Sequence, residues 1–270
     1  TGGELTGNIS QIGGAISSQN SNMTISNSSV SDNTATEYGG GFYIDEESNI
    51  IANNLLVSNN ESQTGGGIYI EDSNPIFENV TITGNTAATP YDGGISFWSN
   101  SSLSLVNSIV WGNTPNEIVF TNWSGIGTIN IDYSDIQGGA EGIIVGEDDT
   151  LNWGEGNIDA DPRFVDAANG DYHLLASSPC INSGNPEDVD PGSTQWDVRA
   201  DMGAYPYLIG HQYQSWYVQE DGSDITGDGT TDATGWMGSG EGLLALDVDG
   251  DGVINGMSEV FSDAFGGGYS

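Results

Sequence analysis

The residues whose types and spacing specify a chemistry most clearly lie near the C-terminus, at residues 247–255 (DVDGDGVIN). A calcium loop requires side-chain oxygens at positions 1, 3 and 5, glycine at position 6, a backbone carbonyl at 7 and an oxygen ligand near 9. Position 12 is Ser258, and the acid expected there follows one residue later as Glu259. We therefore predict Ca²⁺ as the cofactor, held by Asp247, Asp249, Asp251, Val253, Asn255 and Glu259.

A second group of acidic side chains lies in the first half of the chain and could support a different chemistry. It comprises residues 45–47 (DEE), residues 71–72 (ED) and Asp92, at similar phases of a sequence repeat. Two carboxyl groups at a suitable separation are sufficient for glycoside hydrolysis. A row of acidic turns exposed to solvent would give the same sequence pattern. We favour that second interpretation and assign no catalytic residue.

Cationic side chains are almost missing, which argues against several functions. The chain has 39 acidic residues against two cationic ones, Arg163 and Arg199, and a formal net charge of −37. Such a charge repels nucleic acid and anionic membranes. A polysaccharide lyase needs a basic residue to abstract a proton, and neither arginine lies in the repeats. His173 and His211 lack partners at zinc spacing. The composition thus predicts no nucleic-acid partner, disfavours a lyase and favours a protein that is not an enzyme.

The scaffold that positions these groups is defined by internal repeats. A double glycine followed by an apolar strand begins at Gly13, Gly40, Gly66 and Gly93, with spacings of 27, 26 and 27 residues. Each unit holds two or three short alternating segments separated by Gly and Asn turns, which is typical of strands. Such a unit cannot bury its apolar face alone, so the units must stack, each adding about 4.8 Å. The pattern predicts an all-β fold, a parallel β-helix solenoid with coils of about 26–27 residues.

Asparagine recurs at two positions of the repeat. Stacked coils would bring equivalent side chains into columns in which each amide donates to the next coil. Asn also tolerates the left-handed backbone conformation that sharp corners need. We expect both columns to be structural: Asn27, Asn54, Asn79 and Asn107 in the first, and Asn33, Asn60, Asn85 and Asn113 in the second.

Two resemblances to known families extend this interpretation. Residues 65–70 (GGGIYI), followed by residues 77–79 (FEN), resemble the repeats of polymorphic outer-membrane proteins and the wider pectate-lyase-like β-helix superfamily. This resemblance implies right-handed coiling and delivery to the cell surface. A second resemblance, to the closing segment of secreted bacterial β-helix proteins of the choice-of-anchor type, implies a downstream anchoring module. It rests on residues 133–139, 156–166, 169–174, 178–182 and 201–205.

The C-terminal segment has its own resemblance. The loop at 247–259 is similar to the calcium loops of dockerin and thrombospondin-type repeats. A poorer match at residues 224–232 would add Asp224 and Asp228 as ligands of a second Ca²⁺. The segment from Trp216 also resembles the first strand of a further β-helix domain, and residues 221–242 have the composition of a flexible acidic linker. These alternatives stay open.

The sequence thus predicts three regions: β-helix coils over 1–140, a closing segment over 141–207, and a linker with a small acidic calcium-binding segment over 208–270. No apolar run approaches the roughly 18 residues of a membrane helix. We expect a non-catalytic structural or adhesive module, extracellular or on a bacterial surface, with calcium, copies of itself or surface glycans as partners. The alternatives are a glycoside hydrolase, or a glycan-binding module whose aromatic platform would be Trp98, Trp111 and Trp123.

Overall fold

The computed structural model describes residues 2–90, 92–120, 125–188 and 199–207. The chain divides into two compact units, Thr1–Tyr207 and Leu208–Ser270. All the strands given below belong to the first unit. The second unit lies outside the described residues.

Three parallel sheets run along the first unit. Sheet 1 contains β1 (Glu4–Thr6), β4 (Asn22–Ser31), β7 (Asn49–Ser58), β10 (Ile76–Thr83), β13 (Ser102–Val106), β14 (Ile109–Trp111), β16 (Thr128–Asp132), β17 (Asp135–Ile136) and β19 (Thr150–Trp153). Sheet 2 contains β2 (Ile9–Ile12), β5 (Thr34–Tyr38), β8 (Glu61–Ser62) and β11 (Thr86–Ala87). Sheet 3 contains β3 (Ile16–Gln19), β6 (Phe42–Asp45), β9 (Ile68–Glu71), β12 (Gly93–Trp98), β15 (Asn116–Phe120) and β18 (Ile144–Val145).

The chain visits the three sheets in turn, and each strand pairs in parallel with its equivalent on the next coil. The result is an all-β parallel solenoid of about six turns, which confirms the predicted fold class. Paired residues of sheet 3 give the coil lengths. Phe42 pairs with Ile68, and Ile68 pairs with Ile95, so these coils have 26 and 27 residues as predicted. Ile95 pairs with Ile118, so the next coil has 23 residues.

The apolar core fills the space between the sheets. Alternate residues of each strand point inward, and the parallel register stacks them in columns. In sheet 3 one column is Phe42, Ile68, Ile95 and Ile118. Each of these side chains is at most 1% exposed. Many polar residues lie on the outer face or at the corners, but others, among them Asn60, Asn85, Asn107 and Asp135, are fully buried.

The glycine pairs are explained by contacts between coils. At the second position of the pair, a Cβ on Gly67 would lie 2.9 Å from Cγ of Asn85, and one on Gly94 would lie 2.4 Å from Cγ of Asn113. In the first repeat, the residue equivalent to Gly40 is Gly14 and not Gly13, one position later than the glycine pattern predicted. Ile16 pairs with Phe42, so Ala15 occupies the position of Gly67 and Gly94.

The coils continue beyond residue 140 through β18 and β19, and the chain then turns back along the outside of sheet 1. This part contains a small antiparallel hairpin, β20 (Phe164–Asp166) and β21 (Asp171–Leu174). Short 3-10 helices lie at Gly139–Gly142 and Ala167–Asn169. This part covers outward-facing side chains of sheet 1. Leu56 belongs to one buried cluster with Tyr172 and Ala204, and Ile109, two coils further along, belongs to another with Leu174, Cys180 and Met202.

Candidate functional site

The acidic residues of sheet 3 form part of the column expected from the sequence. Asp45 and Glu71 end β6 and β9 at equivalent positions, and Trp98 pairs with Glu71 on the next coil. The pKa of Glu71 is raised, first by burial and then by the charge of Asp45, against a lowering by the Tyr69 hydroxyl. Asp45 and Glu71 are therefore a pair of neighbouring carboxyl groups.

A cluster of tyrosines lies beside this pair. The rings of Tyr43 and Tyr69 stack with centroids 5.6 Å apart and planes 2° apart, and Tyr38 lies 4.8 Å from Tyr69. The Tyr43 hydroxyl donates to Asp45 Oδ2 at 2.9 Å, and the Tyr69 hydroxyl donates to Glu71 Oε2 at 3.4 Å. Burial, together with the nearby carboxylates, raises the pKa of both phenols. Tyr43 and Tyr69 are only 8% and 5% exposed, so they do not form an open platform.

Asp92 does not belong to the same column, and the sequence-based grouping was wrong for it. It precedes β12, whereas Asp45 and Glu71 end their strands. Its carboxylate accepts a hydrogen bond from the Thr89 hydroxyl. Burial raises the pKa of Asp92, and hydrogen bonds from Ser96 and Thr64 oppose that rise. Asp92 follows Tyr91 and Glu71 follows Ile70, so the position of an acid after an apolar residue did not separate the start of a strand from its end.

The other predicted acids occupy a corner. Glu46, Glu47 and Asp72 have left-handed backbones with φ of 54°, 60° and 42°. All three are exposed. Asp72 Oδ1 accepts hydrogen bonds from the backbone N and the side-chain Nδ2 of Asn100, both at 3.3 Å. The open recess here has a volume of about 860 Å³ and is lined by polar side chains alone: Asn20, Glu46, Glu47, Asn49, Asp72, Asn74 and Asn100.

Metal ligands were predicted only in the second unit. Asp224, Asp228 and the loop residues from Asp247 to Glu259 all lie outside the described residues. Within residues 2–90, 92–120, 125–188 and 199–207, no group of three or more His, Cys, Asp and Glu side chains is placed to hold a metal ion. Calcium binding therefore stays a prediction from the sequence.

The second Asn column is a buried hydrogen-bond ladder, as predicted. Each side-chain amide donates to the Oδ1 atom of the next Asn at 2.9 Å, from Asn33 to Asn60, Asn85 and Asn113. The ladder ends on Glu117, whose Oε2 accepts from Asn113 Nδ2 at 2.6 Å. Burial raises the pKa of Glu117 to about 7, and hydrogen bonds from the side chain and backbone of Asn113 and the backbone of Gly112 oppose the rise. Glu117 was missed because an acidic residue in a strand is normally expected on the solvent-exposed face.

In the first Asn column, the first two residues contact each other and the last two contact the closing segment. All four residues have the left-handed backbone expected, with φ between 50° and 52°. Asn54 donates to Asn27 Oδ1 at 3.3 Å, as the prediction requires. The prediction of a continuous ladder was wrong beyond that point. Asn79 donates to the Asp201 carbonyl at 3.0 Å and Asn107 to Asp188 Oδ2 at 3.1 Å, so these amides hold the closing segment.

Both arginines bind backbone carbonyls of the closing segment. Arg163 Nη1 donates to the Ser177 carbonyl at 3.0 Å. Arg199 donates to the Ser183 and Gly184 carbonyls and lies 5.7 Å from the ring centroid of Tyr133. The chain contains no other Lys or Arg.

A cleft that the sequence did not reveal lies where the corner of sheet 1 meets the closing segment. It has a volume of about 610 Å³, and Trp111 lines it together with Arg163, Phe164 and Tyr172. Trp98 is on sheet 3 and Trp111 on sheet 1, so they do not form the single platform proposed from the sequence. Trp123 lies outside the described residues. Two of the residues that line this cleft, Trp111 and Arg163, are 52 positions apart in the sequence and come together only in the folded chain.

Comparisons with known proteins agree with this architecture. Residues 5–136 match the family model described as a right handed beta helix region. Together with the parallel register, this match supports the right-handed parallel β-helix that the sequence predicted. Residues 215–270 match a second family model, described as SPM domain. Comparison with curated proteins and with solved structures gave no match for the chain.

Domains with the right-handed β-helix fold are often extracellular, which agrees with the location expected from the sequence. In the part of the chain that the structure describes, no helix has the length and apolar character required to span a membrane.

Proposed function

We propose that this protein is a non-catalytic structural or adhesive module that acts outside the cell. The observation that carries the proposal is the buried Asn ladder, which links successive coils and ends on Glu117. Its polar groups are enclosed in the coils, where they bind one another and are out of reach of a substrate. Buried and fully satisfied polar networks of this kind make a structure rigid and specify a single arrangement. The resemblance of residues 133–205 to choice-of-anchor closing segments supports display on a cell surface.

End-to-end association is part of the proposal. Within the described residues, β1, β2 and β3 each pair with a neighbour on one side only. Leu5 and Ile9 on these strands are 40% and 80% exposed. Unpaired strand edges with apolar side chains are templates for pairing with another chain. A second copy of this protein is the partner we propose, in a head-to-tail arrangement that extends the sheets.

Calcium is proposed as a stabiliser of the C-terminal segment. The support is the sequence of residues 247–259, with the weaker match at Asp224 and Asp228. Ca²⁺ bound only by the folded state would raise the unfolding temperature. We expect EDTA to lower that temperature in differential scanning fluorimetry, and Asp249→Asn to reduce the effect. Asp148→Asn, at an exposed acid of the first unit, is the matched control. An unchanged unfolding temperature and oligomer size in EDTA would show that the loop has no structural role.

The assembly is tested by light scattering and negative-stain microscopy of the 270-residue chain across a concentration series. We expect elongated oligomers whose length grows with concentration. Ile9→Lys places a charge on the exposed edge strand and should shift the population to monomers, whereas Gln63→Lys, at an exposed residue after β8 in the middle of the stack, should not. A chain that stays monomeric at all concentrations would contradict self-association.

A second candidate function, glycoside hydrolysis, is favoured by one observation. Asp45 and Glu71 are neighbouring carboxyl groups, and the pKa of Glu71 is raised by burial and by Asp45. A raised pKa is what a general acid requires. Release of reducing ends that is lost in Asp45→Asn, Glu71→Gln or Asp72→Asn would establish this function in place of the structural one.

A further inference from the structure

The cleft beside Trp111 has the build of a ligand site. Its two walls come from different parts of the chain: the corner that follows β7, β10 and β14 on one side, and residues 161–175 on the other. Its volume, about 610 Å³, lies in the range of small-molecule clefts. Its lining includes Asn59, Trp111, Asp161, Arg163, Phe164 and Tyr172.

The floor of the cleft contains glycine backbone. Four equivalent corner residues have left-handed backbones, with φ of 57°, 54°, 66° and 74°: Asp32, Asn59, Gly84 and Gly112. The corner residue has a side chain in the first two of these coils (Asp32 and Asn59) and is glycine in the next two (Gly84 and Gly112). A Cβ on Gly84 would lie 2.6 Å from Asn59 Oδ1, whereas one on Gly112 would have only Thr83 Oγ1 within 4 Å, at 3.8 Å. The Asn59 amide thus fills the space above Gly84, whereas a ligand can approach the backbone of Gly112, next to Trp111, closely.

The walls combine aromatic and polar side chains. Trp111 ends β14 and is half-buried. Phe164 and Tyr172 lie opposite in an edge-to-face pair, with ring centroids 5.3 Å apart and planes at 90°. The Tyr172 hydroxyl donates to Asn59 Oδ1 at 3.4 Å, which ties the hairpin to the corner. Asn59, Asp161 and Arg163 are exposed at the rim.

This combination matches the chemistry of a sugar. A pyranose ring has an apolar C–H face that packs on an aromatic ring, and hydroxyl groups that exchange hydrogen bonds with carboxylate, amide and guanidinium groups. The net charge of −37 repels acidic polysaccharides. We infer that the cleft between the sheet 1 corner and the closing segment binds a neutral glycan, with Trp111 as the stacking residue. This inference rests on the proposed adhesive function and names its ligand class.

The test is isothermal titration calorimetry of the 270-residue chain with cellohexaose, xylohexaose, mannohexaose and maltohexaose, and with hexagalacturonate as the acidic probe. We expect saturable binding of at least one neutral probe and none of the acidic one. Trp111→Ala should weaken that binding by about tenfold or more. Trp98→Ala removes a half-buried tryptophan from sheet 3 and should leave the affinity within about twofold.

Two exposed rim variants keep the test decisive if Trp111→Ala fails to fold. Asn59→Ala and Asp161→Asn should each weaken the same neutral probe several-fold. Absence of binding by every neutral probe, binding of hexagalacturonate alone, or equal losses in Trp98→Ala and Trp111→Ala would overturn the inference. These outcomes leave the proposed structural function intact, whereas release of reducing ends from the same probes would contradict that function whether or not the cleft binds.

Discussion

At the scale of single residues, buried asparagine side chains hold neighbouring coils together through hydrogen bonds. Asn85 shows the principle. It is fully buried, its amide donates to Asn113 Oδ1 and to the Val57 carbonyl, and its Oδ1 accepts from both nitrogens of Asn60. A buried group in this position satisfies backbone atoms that no water reaches.

Removing that amide should therefore be costly. We predict that Asn85→Ala lowers the free energy of unfolding by about 3 kcal/mol, because buried donors and acceptors on both neighbouring coils lose their partners. Urea denaturation measures this loss. Asn49→Ala is the control: Asn49 is exposed and donates to Asn22 Oδ1 at 3.1 Å in an equivalent stacked pair. Its expected cost is under about 0.5 kcal/mol. Equal costs for the two variants would mean that the ladder adds nothing beyond a surface contact.

Glu117 should make stability depend on pH. Its pKa is about 7 in the fold against an ordinary 4.5. Between these values the folded state holds a proton that the unfolded state has lost, so the free energy of unfolding falls as pH rises. The slope is about 1.4 kcal/mol per pH unit at most, or roughly 3 kcal/mol over the window.

We predict that Glu117→Gln reduces this slope and is at least as stable as the unsubstituted protein at pH 8. Denaturation in urea at a series of pH values tests it. Glu147→Gln, at an exposed acid, should leave the slope unchanged. If Glu117→Gln keeps the full slope, another group is responsible.

Residue roles were predictable from the sequence where they follow the repeat, and not elsewhere. The Asn33 column was predicted because its partners recur one coil away. The partners of Asn79 and Asn107 are residues of the closing segment, 122 and 81 positions distant. Nothing in the periodicity of the coils indicates such partners.

At the scale of elements, the glycine pair and the Asn ladder are two halves of one contact. Gly94 must lack a side chain because Asn113 fills the space, with Cγ 2.4 Å from where a Cβ would lie. The glycine pairs were therefore sufficient to predict the repeat. They did not predict how the first repeat aligns with the second, because three successive positions favour glycine for different reasons. Gly39 and Gly65 have left-handed backbones, while Gly41 and Gly67 make close contacts.

We predict that Gly94→Ala costs about 3 kcal/mol or more, since the methyl group can be accommodated only by shifting the buried Asn113 amide and the coil that carries it. Thermal and urea denaturation measure the loss. Gly3→Ala is the matched control, because a Cβ there would meet only Ser28 Oγ, at 3.9 Å. A Gly94→Ala protein as stable as Gly3→Ala would show that the coil corners are looser than the contacts imply.

At the scale of the whole molecule, the net charge and the buried carboxyl groups both lower the stability of the fold as the pH rises. The net charge of −37 favours expansion of the chain, and it grows more negative as pH rises. Asp135 adds to the effect of Glu117. Burial raises the pKa of Asp135 to about 6, and its Oδ2 accepts a hydrogen bond from the Cys180 thiol at 3.1 Å. Both carboxyl groups are better tolerated in the fold when protonated.

We predict that the unfolding temperature rises as the pH is lowered from 8 to about 5, the reverse of ordinary acid denaturation. Added NaCl should raise it at pH 8 by screening repulsion between the acids. Scanning fluorimetry with EDTA present separates this effect from calcium binding. A protein most stable at pH 8 in low salt would contradict the account.

The fold of the coils was predictable because one periodic pattern specifies strands, turns and stacking together. The cleft beside Trp111 was not, because its residues come from the coils and from the closing segment, which meet only in the folded chain.

The central claim is that the acidic and amide side chains serve the scaffold and not a reaction. Release of reducing ends from a panel of neutral and acidic polysaccharides, followed over days at pH 5 and 7, tests it most directly. We expect no release above a protein-free control, and release that disappears in Asp45→Asn or Glu71→Gln would contradict the proposed structural function.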